Sequence, residues 1–317
     1  MKYPVVGLSP MDGITNAVFR QIVDIYGRPD IMFTEFIPVE ALILRKPAIE
    51  RMLLFHKTKT TTIAQLFGIE PELFCQAATI VLDKGFDGVD INMGCPDRVV
   101  FNRGGGAGLI LKPILAKEIV LSVKKAVSDW KEKNQSNKNI TVSVKTRTGY
   151  KKHQTREWIK NLLDISPDFI CLHARTYQQK YSGRADWEEI RVAVNLAKNT
   201  RTKILGNGDV KNRKEALQKI KEYKISGVLI GRAALGNPWV FTNKIPTAEE
   251  RFEVLMKHCK FFIKTFPDLD FKIMRKHLAW YTKGIPGSAE MRSHLMQVNN
   301  INEVKKIISP GLSVFRK

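Results

Sequence analysis

The sequence predicts an α/β chain: a (β/α)8 TIM barrel followed by a small all-helical C-terminal domain. Three observations predict it. Eight short, β-rich apolar runs recur between residues 5 and 233, each ending in glycine or polar residues. Helically patterned segments lie between them, and alternation of this kind implies a parallel sheet. After about residue 243 the β-rich runs stop and only amphipathic helical patterns continue. Eight strand units in roughly 240 residues is the size of a closed barrel. The competing open, doubly wound sheet usually carries a glycine fingerprint after its first strand, and none stands there.

In chain order the strands are expected over 5–11, 31–36, 62–68, 88–94, 140–147, 168–174, 203–209 and 227–233. The segment 14–27 has apolar residues at three- and four-residue spacings, as a helix requires. The segment 71–85 opens with Pro71 and closes with Gly85, the usual start and stop signals. Further helices are expected over 112–130, 156–165, 187–199 and 212–223, with 131–139 a polar loop. The domain boundary is placed at 245: a barrel over 1–245 and a helical domain over 246–317. Within the second, two amphipathic helices span 247–266 and 271–284, and two shorter ones span 288–300 and 302–311.

Composition narrows the classes. The chain has 317 residues, 44% hydrophobic and 26% charged, which fits a soluble globular protein and excludes disorder or a collagen-like chain. Lysine and arginine number 52 against 31 acidic residues, a net charge of +21. Such an excess favours a polyanionic partner, nucleic acid or an anionic membrane face. The last 72 residues carry 13 basic and 7 acidic residues, so both parts are basic. Four cysteines occur without a Cys-x-x-Cys pair, so neither a zinc site nor a disulfide framework is expected, and no metal. Reduced thiols, no signal-peptide core and no membrane-length apolar run point to the cytoplasm and away from membranes.

Barrels of this kind place their active site at the C-terminal ends of the strands. The reactive residues of this sequence fall there: Pro10 and Met11, Gln65, Asn92 and Cys95, Lys145 and Arg147, His173 and Arg175, Asn207 with Asp209, and Gly231 with Arg232. Seven strand ends converging on one mouth is hard to explain by core packing. The glycines of 206–209 and 231–237 let backbone N–H groups approach an anion, and the loops after strands seven and eight are the usual phosphate site. With Arg232 they suggest a phosphorylated cofactor or substrate. Lys145 is read as a Schiff-base lysine or a charge stabiliser for a bound ring, against a surface ion pair. His173 is read as a donor or acid/base, against a satisfied structural histidine. Cys95, between glycine and proline, is placed for reactivity, whereas Cys75, Cys171 and Cys259 read as apolar filler.

The strings SPMDGITN, QLFG, DINMGCP, SVKTRTG, HARTYQQKYSGRADW, GNGD and VLIGRAALGNPW run in order from residue 9 to 239. In these the chain resembles the tRNA-dihydrouridine synthase family, and RKHLAWYTKG at 275–284 resembles the helical domain of its bacterial B-type branch. Asp12 stands where the family commonly has alanine. The resemblance implies FMN in the barrel mouth and reduction of a uridine C5=C6 bond in tRNA. It implies that Pro10, Met11 and Asp12 line the flavin and that Gln65, Lys145 and His173 contact its ring. It implies that Asn207, Gly208, Asp209, Gly231 and Arg232 hold the ribityl chain and phosphate. Asn92 would bind the uracil, with Arg147, Arg175 and Tyr177 as further substrate contacts. Hydride would reach C6, Cys95 would protonate C5 as the general acid, and NADPH or NADH would reload the flavin. The implied partner is tRNA and the expected state a monomer. The rivals are an FMN barrel acting on a free pyrimidine, a lyase using Lys145, and a non-catalytic RNA-binding protein.

Overall fold

The computed structural model describes residues 2–56, 58–285 and 287–314, the last five of these by their backbone alone. Among them, eight parallel strands close into a barrel in chain order: β1 (Val5–Leu8), β2 (Ile31–Pro38), β3 (Thr61–Phe67), β4 (Gly88–Met93), β5 (Thr141–Arg147), β6 (Phe169–His173), β7 (Lys203–Asn207) and β8 (Gly227–Ile230). Closure is the pairing of β1 with β8, Val5 to Leu8 against Gly227 to Ile230. Around the barrel run α1 (Ala17–Tyr26), α2 (Val39–Ile43), α3 (Pro47–Met52), α4 (Pro71–Asp83), α5 (Arg98–Asn102), α6 (Pro113–Lys133), α7 (Thr155–Leu163), α8 (Trp187–Ala197) and α9 (Arg213–Tyr223). The C-terminal part is α10 (Ala248–Thr265), α11 (Arg275–Tyr281), α12 (Ser288–Leu295) and α13 (Ile301–Val314). The (β/α)8 TIM barrel with a helical C-terminal part is therefore the fold. No helix among the described residues is long and apolar enough to cross a membrane.

The strand ends differ from expectation for local reasons. The first strand stops at Leu8 rather than 11, because Pro10 has no N–H for the ladder. The seventh stops at Asn207, where Gly208 and Asp209 take φ of 134° and 57°. The second runs on to Pro38 through a register shift between Phe33 and Phe36. Three short helices escape the sequence pattern: α2, α3 and α5, of five, six and five residues, are too short to show a helical period. Helix α6 extends to Lys133, so the polar loop starts later than expected.

Alternation along the strands sorts side chains into layers. Val5, Ile31, Phe33, Ile63, Phe169, Cys171, Leu205 and Leu229 form an apolar plug inside the barrel. Two residues further along β3, β6 and β7, the inward positions are Gln65, His173 and Asn207. Cys171 is thus filler, fully buried in the plug. The outward faces pack against the surrounding helices in a second, larger core.

Helix α1 belongs to two cores at once. Phe19 and Val23 pack into the barrel's outer core. Ala17, Val18 and Ile22 pack with Phe252, Leu255, Cys259, Phe262, Leu278 and Tyr281 of α10 and α11. The C-terminal helices are therefore mounted on the barrel's first helix. Helix α10 starts with a capping box: Thr247 accepts from the Glu250 backbone, and Glu250 accepts from the Thr247 backbone.

Candidate active site

A cavity of about 950 Å³ opens at the C-terminal ends of the strands. Its size is at the upper end of the about 300–1,000 Å³ usual for ligand pockets. Pro10 and Met11 line it after β1, Gln65 on β3, and Asn92 and Cys95 at the end of β4. Lys145 and Arg147 of β5, His173 of β6 and Asn207, Gly208 and Asp209 of β7 complete most of the wall. Gly231 and Arg232 close it after β8. The structure does not bring Asp12, Arg175 or Tyr177 to this wall.

Cys95 sits on a loop shaped by its neighbours. The Asn92 Oδ1 accepts the backbone N–H groups of Gly94 at 3.0 Å and Cys95 at 2.8 Å. The Cys95 carbonyl accepts the N–H of Ala107 at 3.2 Å. Gly106, at φ 54°, approaches so closely that a Cβ there would stand 3.0 Å from the Cys95 Cβ. That contact explains one glycine of the run at 104–106. Cys95 is 9% exposed. Burial pushes its thiol above the ordinary value, and the carboxylates of Asp97 and Asp12 add to the rise. The Asp97 backbone N–H, second only to burial, and Arg147 pull the other way, and the net remains a rise. At neutral pH the group is a thiol, able to donate a proton.

The wall that continues from β5 to β8 is cationic. Lys145 Nζ donates to Asn207 Oδ1 at 3.2 Å, and Asn207 Nδ2 donates to the Leu229 carbonyl at 2.8 Å. Burial lowers the Lys145 pKa, with Arg147 adding to the effect. Burial, and then Lys145, Arg147, Arg175 and Arg232, hold the His173 pKa well below the ordinary value. Its imidazole is neutral. Arg175 lies 3.4 Å from His173 Nε2 and can only donate, so Nε2 accepts and Nδ1 carries the proton.

The loop after β7 is held by one carboxylate. Gly208, at φ 134°, lies so close to its neighbours that a Cβ there would stand 2.7 Å from the Ala185 Cβ. Asp209 accepts Arg175 at 2.6 Å, the Ala185 N–H at 2.9 Å and Arg232 at 2.7 Å. Burial raises its pKa, but these bonds and the two arginine charges bring the net below the ordinary value. Asp209 therefore holds Arg232 at the cavity with its own charge already neutralised.

Three of the expected substrate contacts make most of their bonds or stacking contacts within the protein. Arg175 is fully buried and donates to the Ser182 and Gly183 carbonyls as well as to Asp209. Tyr177 stacks on Phe101 at 4.0 Å between ring centroids and lies 5.4 Å from Tyr150. Arg147, 2% exposed, reaches the cavity wall but donates to the Gly94, Thr176 and Lys180 carbonyls at 2.8, 2.9 and 3.0 Å. It ties the Cys95 loop to the loop after β6. Asp12 is exposed beside the cavity, near Lys276, whose Nζ donates to the Gly13 carbonyl.

The cavity also gathers residues that the sequence reading did not single out. Tyr181 is 58% exposed, its ring 5.3 Å from the Arg232 guanidinium and 6.0 Å from that of Arg147. Arg184, Lys211, Lys219 and Lys283 add positive charge at the same cavity. Tyr181 and Arg184 stand inside the string HARTYQQKYSGRADW, which was a usable signal. Lys283 follows α11 and reaches the cavity through the docking of the C-terminal helices, which no local pattern announces.

A closed barrel whose strand ends gather a protonated thiol, a neutral histidine and a cationic wall around one cavity is a barrel enzyme in its architecture. The chain belongs to the dihydrouridine synthase family, whose model, described as dihydrouridine synthase (Dus), matches residues 7–313. It is 34% identical to a probable tRNA-dihydrouridine synthase of Staphylococcus aureus (strain COL) over 95% of this chain and 91% of that one. It is 29% identical to a probable tRNA-dihydrouridine synthase 1 of Synechocystis sp. over 96% of this chain and 85% of that one. Among solved structures, histamine dehydrogenase from Rhizobium sp. 4-9 superposes with a TM-score of 0.54 at 13% identity. That match covers 81% of this chain and 48% of the dehydrogenase, and the likeness is one of fold.

Proposed function

We propose that the protein is a tRNA-dihydrouridine synthase that reduces the C5=C6 bond of particular uridines in tRNA. The observation that carries the reading is Cys95: a buried, protonated thiol at the mouth of a barrel of this family. Family membership and the names of the relatives support the reaction, and the +21 charge supports a nucleic-acid substrate. Such a substrate belongs to the cytoplasm.

The residues present fit FMN as the cofactor. Gly231 lies on the cavity beside Arg232 with open space where a Cβ would stand, 3.7 Å from Met11 and Ser9, and Lys145 brings an amine to the same cavity. FMN held there would supply hydride chemistry at uracil C6, with NADPH or NADH as the reductant. The chain's own residues do the rest. Cys95 protonates C5. Lys145 would hold the flavin ring with its ammonium, a donor that favours negative charge there. His173, neutral, offers Nδ1–H as a donor. Asn207, Gly208, Gly231 and Arg232 hold the ribityl chain and phosphate, with Asp209 holding Arg232 in place. Pro10, Met11 and Gln65 line the ring, and Asn92 faces the uracil. The uridine leaves its stack to reach the cavity, at about a few kcal/mol. Arg184, Lys211, Lys219 and Lys283 neutralise RNA phosphates near the mouth, so binding weakens steeply with salt.

The test is dihydrouridine formation in unmodified tRNA with FMN and NADPH. Cys95→Ala is expected to lower the rate by about 10²–10⁴-fold, the usual scale for a positioned acid. No product from flavin-loaded wild type across several tRNAs would sink this reading and favour a free-pyrimidine substrate.

A further inference from the structure

A run of buried polar side chains links three adjacent strands and reaches the cavity wall at Gln65 and Asn92. Asp90 of β4 is fully buried. Its Oδ1 accepts the Ser143 hydroxyl at 2.5 Å and its Oδ2 accepts Gln65 Nε2 at 2.6 Å. Gln65 Oε1 accepts Asn92 Nδ2 at 3.0 Å. Asn92 Oδ1 then accepts the N–H groups of Gly94 and Cys95. Register sets up the run: Gln65 pairs with Asp90 and Asp90 with Ser143 across three adjacent strands.

The two ends fix its direction. A backbone N–H can only donate, so Asn92 must turn its oxygen to Gly94 and Cys95. Its nitrogen then faces Gln65, which must offer oxygen, and the Gln65 nitrogen is left facing Asp90, which must accept. A reversed Gln65 would set oxygen against oxygen at one end and nitrogen against nitrogen at the other. A buried polar mismatch of that kind is strongly disfavoured.

We propose that Asp90 is a positioning residue for Cys95: the acceptor it offers fixes the orientation of Gln65 and Asn92, and through them moors the Gly94–Cys95 backbone at the cavity wall. The proposal rests on the reading of Cys95 as the proton donor. Asp90 also sits within reach of the Lys145 charge. Charge and acceptor must therefore be separated. Asp90→Asn removes the charge yet keeps an oxygen for Gln65, because the Ser143 hydroxyl can rotate to accept the new amide N–H. Asp90→Ala removes both.

The experiment is iodoacetamide labelling of the purified full-length protein, with each cysteine read by peptide mass spectrometry. Asp90→Ala is expected to label Cys95 about tenfold faster, because the loss of a buried acceptor eases local opening of the loop. Asp90→Asn and Ser143→Ala are expected to stay within about twofold of wild type, since each leaves an oxygen facing Gln65. Cys171 and Cys259, buried far from solvent, report unfolding if they label too. In that event Gln65→Met carries the test, breaking the run with Asp90 intact, and the same acceleration is expected. Unchanged Cys95 labelling in a folded Asp90→Ala, or in Gln65→Met, overturns the proposal. So does an Asp90→Asn variant that labels as fast as Asp90→Ala. Dihydrouridine formation is scored separately. A wild type that makes none, while the labelling order holds, defeats the functional reading and leaves the mooring standing.

Discussion

The barrel mouth and the junction with the C-terminal helices both bury histidine, with different results. At the mouth, His173 accepts from Arg175 and faces a cavity, kept neutral by burial and by four nearby cations. At the junction, His258 and His277 meet edge to face with ring centroids 4.9 Å apart, and both lie against Phe19 of α1. Among the described residues, His258 reaches the Tyr281 hydroxyl at 3.2 Å, while its Nε2 and both nitrogens of His277 have no partner. The junction imidazoles act as aromatic filler. The comparison teaches that burial holds one residue type neutral both at a cavity wall and inside a packed junction. Substitutions at the mouth should change rates and leave stability, and those at the junction should do the reverse.

The sharpest attempt to break that contrast is at α1, which serves both cores. Ile22 is fully buried among the C-terminal helices and touches nothing at the cavity. Ile22→Ala should destabilise the protein by about 2–5 kcal/mol through the cavity it leaves. Denaturant unfolding measures this, with the rate at saturating substrate unchanged while the protein stays folded. A stable variant with a lowered rate would show that the junction controls the mouth.

Acid should find the junction next. Burial alone lowers the His258 pKa from 6.5 to about 3, and burial with the charges of His258 and Lys276 depresses His277. The unfolded chain takes up these protons near pH 6.5 and the folded chain only far below it. The stability is therefore intact above about 6.5 and is lost as pH falls from there, by up to about 1.4 kcal/mol per pH unit per histidine. Melting temperature against pH reads the slope. His277→Leu, which gives up no hydrogen bond seen among the described residues, should lower the slope by one histidine's share, up to about 1.4 kcal/mol per pH unit. An unchanged slope would place the acid-sensitive groups elsewhere.

Much of this was legible beforehand, and the reason is periodicity. Gln65, Asn92, Lys145, His173 and Asn207 lie on strands whose period of two sends them inward near the C-terminal end, so strand assignment alone put them at the mouth. Arg175 and Tyr177 lie beyond the strand in a loop, where no period tells which way a side chain turns. The resemblance makes Arg175 a substrate contact, whereas the bonds seen in the structure run from its guanidinium to Ser182, Gly183 and Asp209. The double duty of α1 and the arrival of Lys283 depend on contacts between parts distant in the chain. The bonds from Asp90 to Asn92 depend on register between neighbouring strands, which the sequence does not print.

Tyr181 offers the smallest and most discriminating test, because it was missed in the sequence and lies at the mouth while being largely exposed. Its ring flanks Arg232, which Asp209 holds from the other side. An exposed cation–π contact of this kind is worth about 0.5–1 kcal/mol. Tyr181→Ala should therefore weaken FMN binding about two- to fivefold, on the conversion of about 1.4 kcal/mol to a factor of ten. Flavin-fluorescence quenching of the apoprotein measures it. Stability should stay within about 0.5 kcal/mol of wild type, as for an exposed side chain outside either core. Tyr181→Phe keeps the ring face and should restore the affinity. A fall in melting temperature matching that of Ile22→Ala would make Tyr181 a packing residue, and the division between a reactive mouth and a structural junction would fail at that position.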